Sequence, residues 1–152
     1  MMHRPIALTF AGILVAIVTV VPRAGADAPP GRYTVENGVV TDTETNLVWS
    51  QTEQPGGPWS WVDAQSQCVA PWRTPTVQEL RTLSDLTATT PPAIDTSVFY
   101  GPTASSTPSS GRVWTSTPYL LVNEGFAYYV DFTDGTVDIY DATQPGAVRC
   151  VQ

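Results

Sequence analysis

The 152-residue chain has no lysine, and its one histidine is His3. All seven basic residues are arginines, and two of them, Arg4 and Arg23, fall within the first 26 positions. Those positions read as a targeting segment. Arg4 precedes an uncharged run from Ile6 to Val21, and "RAGADA" offers a small-x-small cleavage site after Ala26. The sixteen residues of that run fall short of the ~20 that a membrane span needs. A signal peptide over 1–26 is therefore expected, with export to the periplasm or the extracellular space and no stable membrane insertion after cleavage.

Beyond residue 26 neither histidine nor lysine remains. This excludes a Ser–His–Asp triad, a Cys–His pair, a lysine Schiff base and an imidazole-ligated metal. Carboxylate chemistry, oxygen-ligated metals or no catalysis are left. Fourteen acidic residues against five arginines give these 126 residues a net charge of −9. Such a surface repels nucleic acid, anionic lipid and sulfated polyanions. The length suits one domain with a single core.

Cysteine is equally scarce. Cys68 and Cys150, far apart in an exported chain, read as one disulfide. A redox or metal-binding thiol pair would want a CxxC spacing and further ligands, and neither is present.

What is there divides into short strands, two helix starts and a long polar loop. "RYTVENGVVTDTETNLVWSQ" places strands at Tyr33–Val35, Val39–Thr41 and from Leu47, with turns at Asn37-Gly38 and around Asn46. Ser60 is an N-cap candidate with Asp63 as its partner, and Trp61, Ala64 and Cys68 share one face of the helix expected over "SWVDAQSQCVA". In "PWRTPTVQELRTL", Thr76 and Glu79 have the spacing of a capping box, and Pro75 keeps Thr74 extended. Val77, Leu80, Leu83 and then Leu86 or Thr87 form the inward stripe. Trp72 and Arg73 precede the cap, where an indole covers a core edge and an arginine pairs with a carboxylate. This reading makes Trp72, Arg73, Pro75, Thr76 and Glu79 a structural motif.

Residues 87–113 are rich in Pro, Ser, Thr and Gly, with Ile94, Val98 and Phe99 expected to tack down the first part. "VWTSTPY", then a hairpin about Asp134-Gly135, then "AVRCVQ" read as strands. Phe126, Tyr128, Val130 and Phe132 fall on one face of theirs. The order of elements predicts an α+β domain.

In their order, "GVVTDTETNLVW", the Cys68 helix, "WRTPTVQEL", "PAIDTSVF", "VWTSTPY", "YYVDFTDGTV" and "VRCV" resemble the Lcl C-terminal domain, a bacterial extracellular family of largely unknown function. The resemblance covers about residues 32–151, leaving 27–31 as an N-terminal linker to a domain over 32–152. It implies a C-type-lectin-like fold, with two helices packed on a twisted antiparallel sheet, a long loop region and paired N- and C-terminal strands. It also implies that Cys68 and Cys150 pair. Arg73, Thr74, Pro75, Thr76 and Glu79 match an Arg-Leu-Pro-Thr-plus-glutamate helix start that is shared with the formylglycine-generating sulfatase modifiers. Thr74 replaces the leucine, and the link from Cys68 to Trp72 is shorter than the family usually has. The sulfated-polysaccharide binding of a collagen-tailed relative uses basic residues that this chain lacks, and the modifiers' reactive cysteines have no counterpart outside the disulfide.

Candidate site residues compete with structural roles. Asp131 and Asp134, with Asp138 and Asp141, suggest calcium, but "DFTDG" is also a hairpin turn without EF-hand spacing. Asp95 in "IDTS" is an isolated triplet, and no spacing singles out a glycosidase carboxylate pair. Trp59, Trp61, Trp72 and Trp114 with Tyr119 offer a sugar-stacking platform or core caps. A binding face is expected on loops 100–112 and 119–125, with Arg112, Trp114, Tyr119, Asn123 and Glu124 as ligand-contacting candidates. The sequence thus points to a non-catalytic module, without cofactor, that recognises a glycan or cell-surface protein at the envelope. The alternatives are a structural or assembly component with no small ligand and, third, a carboxylate-dependent hydrolase.

Overall fold

The computed structural model describes residues 26–101, 111–121 and 125–152. Strands β1 (Tyr33–Glu36), β2 (Val39–Asp42) and β3 (Val48–Ser50) form one antiparallel sheet, in that order. Asn37 and Gly38 both have positive φ, as the mirror-image two-residue turn between β1 and β2 demands, and Asn46 takes the left-handed conformation before β3. Strands β4 (Arg112–Pro118), β5 (Phe126–Asp131) and β6 (Thr136–Asp141) form a second antiparallel sheet. Between them lie two short helices, α1 (Trp61–Ala64) and α2 (Val77–Leu80), the latter continued by a 3-10 turn over Arg81–Leu83. The α+β class follows.

The terminal segment joins the sheets. Val48 and Gln152 exchange both backbone hydrogen bonds, and the Ser50 N–H donates to the Cys150 carbonyl. On the other side Ala147 runs parallel to Val113, its N–H donating to Arg112 and its carbonyl accepting from Trp114. The expected last strand is therefore a seam rather than a hairpin partner. Alternation sends its side chains into two clusters. Val151 joins Val40, Trp49, Leu80, Phe99, Val130 and Phe132, whereas Val148 and Cys150 join Ala64, Trp114, Ala127 and Tyr129.

Three sequence expectations are corrected. α1 stops at Ala64 instead of reaching Cys68, because the Ser66 hydroxyl and the Gln67 amide both donate to the Asp63 carbonyl and compete with the continuing backbone ladder. Leu86 and Thr87 are exposed, since the 3-10 turn ends the stripe at Leu83. On β5 the face of Val130 and Phe132 is buried only near the turn; Phe126 is exposed and Tyr128 half-buried, while Ala127 and Tyr129 are buried on the opposite face. β4 and β5 bury residues on both faces whereas β6 buries none, which period-two counting does not reveal.

Cys68 and Cys150 are disulfide-bonded. Ile94 and Phe99 are buried and anchor the start of the long loop as expected. The segment read as a linker lies against the domain: the Asp27 and Ala28 N–H groups donate to the Asp85 and Asp95 carboxylates.

Candidate functional site

The "WRTPT" stretch starts α2. Thr76 Oγ1 accepts from the Glu79 N–H, and Glu79 Oε2 accepts from the Thr76 N–H at 2.8 Å, closing the capping box. Arg73 grips the same carboxylate with two bonds of 2.8 and 2.6 Å. Led by the Arg73 bonds, these contacts hold Glu79 down to a pKa of about 2. A carboxylate depressed in the folded state adds stability above its unfolded pKa, and that stability fades as pH falls from the ordinary glutamate range toward 2. Glu79→Gln is expected to cost about 1 kcal/mol at pH 7 and to flatten the acid limb of the stability curve; urea unfolding from pH 7 to 2 checks this. Thr74, where the family resemblance breaks, is buried, and its hydroxyl donates to the Ala64 carbonyl at 3.3 Å. The substitution thereby satisfies the end of α1. Trp72 half-covers the second cluster, as a core-edge indole should.

The described feet of the two loops nominated as one binding face lie at opposite ends of β4. Arg112 pairs with Asp131 at one end and Pro118 with Ala127 at the other, roughly 20 Å apart at strand rise. Of the candidates, Arg112 and Tyr119 therefore stand near opposite ends of β4. Trp114 is fully buried and spends its indole N–H on the Trp59 carbonyl, so it is a core residue rather than a stacking surface. Trp61 likewise donates to the Thr115 carbonyl, and Trp59 and Trp61 pack beside Trp72 against the second cluster. Arg112 lies over the Tyr129 and Tyr140 rings, 4.9 and 3.7 Å from their centroids. Asn123 and Glu124 lie outside the described residues, as does most of the 100–112 loop.

The acidic candidates are engaged in turns. Asp131 Oδ1 accepts from the N–H and hydroxyl of Thr133, and Asp134 Oδ1 does the same with Thr136. Asp85–Thr87, Asp95–Ser97 and Asp141–Thr143 repeat the arrangement. Among the described residues no group of three or more His, Cys, Asp or Glu could hold a metal ion.

Sequence reasoning missed the buried centre at the foot of the long loop. Arg149 is fully buried and donates to the carbonyls of Ser50, Gln51 and Tyr100 at 2.7–3.0 Å. Its guanidinium lies over Phe99 and 3.5 Å from the Glu53 carboxylate. Burial pulls its pKa down to about 10, still well above neutral pH. Gly101 follows at φ 138°, where an added Cβ would sit 2.7 Å from Glu53 Cδ. Across the loop an added Cβ on Gly111 would meet Asp131 and the Thr133 backbone. Both feet of the loop are thus clamped. The available signal was an arginine inside the apolar run "AVRCV".

At the other end of β4 the surface is apolar. Leu120 and Leu121 are 84% and 81% exposed, and Phe126 36%. Tyr119 packs edge-on to Tyr128 at 5.6 Å, and its N–H donates to the Phe126 carbonyl. Adjacent, largely exposed leucines beside aromatics form an apolar rim.

Two three-stranded sheets joined by a C-terminal seam, which one long-range disulfide ties to the turn after α1, define a small α+β domain. The model of the Lcl C-terminal domain matches residues 38–152, and the chain belongs to that family. No curated protein matches it. The disulfide fits an exported protein, and no helix among the described residues is long and apolar enough to cross a membrane.

Proposed function

We propose that this protein is a secreted, non-catalytic binding module with a C-type-lectin-like arrangement, which engages a protein or glycan at the cell envelope through the rim of Tyr119, Leu120, Leu121, Phe126 and Tyr128. The observation that carries this reading is the pair of leucines held in water at the end of β4. Exposed apolar side chains next to tyrosines at the end of a sheet supply buried area to a partner. The acidic surface favours a neutral or basic partner over a sulfated polyanion.

The test is a glycan array together with envelope-extract binding, comparing the exported protein with its Leu120→Ser/Leu121→Ser variant. Binding is expected to fall at least about tenfold while unfolding free energy changes by less than about 0.5 kcal/mol. Saturable binding that the double variant leaves intact would sink the rim assignment. A blank against glycans with stable self-association or a protein partner would favour the structural or assembly role instead.

A further inference from the structure

The start of the described chain meets two carboxylates. The Asp27 N–H lies 3.3 Å from Asp85 Oδ2, and the Ala28 N–H lies 3.1 Å from Asp95 Oδ2. Successive backbone nitrogens each facing an acid, just after a small-x-small sequence ending in Ala26, form a receptor for a chain terminus. We propose that processing between Ala26 and Asp27 creates an α-ammonium group that docks as an ion pair on Asp85, with Asp95 holding the next amide, so that maturation ties the N terminus into the fold. This inference rests on the exported reading above.

Hydrolysis by a leader peptidase adds one water across the Ala26–Asp27 bond. Ala26 leaves as a carboxylate, and the Asp27 nitrogen becomes an amine that takes up a proton at neutral pH. A neutral amide donor thereby becomes a cation at the same place. The cleft around it contains the Asp27, Asp85 and Asp95 carboxylates, the Tyr33 phenol and the Arg32 guanidinium. Arg32 is already committed to Asp42, at 3.0 Å, and to the Thr82 carbonyl, at 2.6 Å. Led by the Thr87 hydroxyl, hydrogen bonds keep Asp85 below the usual carboxylate range, so it is charged at neutral pH. A cut two residues later, after Ala28, would remove both nitrogens that the carboxylates hold and leave Pro29 first.

The absence of lysine makes the experiment clean, because the α-amine is the only primary amine of the processed chain. The full chain is expressed with its own leader, and the exported protein is recovered. Its N terminus is read by mass spectrometry, and an amine-reactive reagent then titrates the α-amine. The expected results are a chain beginning at Asp27 and an α-amine pKa above the ordinary range of about 7.7–8.0, lowered by roughly half a unit or more in Asp85→Asn. The same chain unfolded in urea supplies the reference if that variant does not fold. A chain beginning at Asp27 whose amine titrates alike when native and unfolded overturns the docking and leaves export standing. An unprocessed chain, or one beginning at Pro29, overturns the docking site together with the assigned cut.

Discussion

Replacing Arg149 with methionine is expected to destabilise the protein by about 3–5 kcal/mol, a large part of the stability of a domain of this size. Methionine keeps much of the apolar stem but withdraws the donor from three backbone carbonyls, those of Ser50, Gln51 and Tyr100. It also removes the cation 3.5 Å from Glu53, which is itself 7% exposed. A buried carboxylate that loses its cation, and three carbonyls that each lose a charged donor, cost more than the intact cluster contributes. Glu53→Gln in the same chain should recover part of the loss, because the charge left behind is then gone. Denaturant unfolding of the two single variants and the double variant checks this. Additive effects would show that Arg149 and Glu53 are not coupled. The consequence reaches the loop, since Tyr100 and Gly101 form its near foot.

The second large effect is expected from the disulfide. Cys68→Ala/Cys150→Ala should lose about 4.5 kcal/mol in the chain-entropy account, because the bridge closes a loop with a sequence separation of 82 residues. The link fastens the turn after α1 to the terminal seam, and Cys150 is buried beside Trp114 and Tyr129. Thermal unfolding of the oxidised protein and of the double variant, both at neutral pH, measures the difference. Equal stability would mean that the seam's backbone pairing with β3 holds the C terminus unaided. Losing either the seam clamp or the bridge should loosen the same junction, so the Arg149 and cysteine variants should not combine additively.

Much of the architecture was legible because it is written in local chemistry. Asn37-Gly38 forces a tight hairpin turn, Thr76 and Glu79 cap a helix, and Pro75 separates the segments, all through contacts within a few residues. The length of α1 was not legible, since Ser66 and Gln67 can serve a helix surface or take the Asp63 carbonyl, and only the turn decides. The double-sided burial of β4 and β5 escaped for a different reason. Tyr129 and Ala127 alternate with Tyr128 and Val130, so neither face reads as polar.

The candidate site was less legible than the fold. Trp114 and Tyr119 are five residues apart, yet one is sealed in the core and the other stands on the rim, a difference set by what packs against β4 rather than by residue type. Arg149 had the opposite fate, a charged side chain drawn wholly inside because three carbonyls converge there from β3 and from the loop.

By itself the sequence determined the α+β class, the family, the capped start of α2 and the exclusion of imidazole and lysine chemistry beyond residue 26. These depend on composition and on spacings of a few residues, which act before the chain folds. The tertiary structure alone decided that the Trp114 indole reaches the Trp59 carbonyl, that Asp85 and Asp95 face the Asp27 and Ala28 amides, and that Glu53 and Arg149 meet. Each of those joins residues tens of positions apart, and their distances exist only once the sheets and the seam have closed.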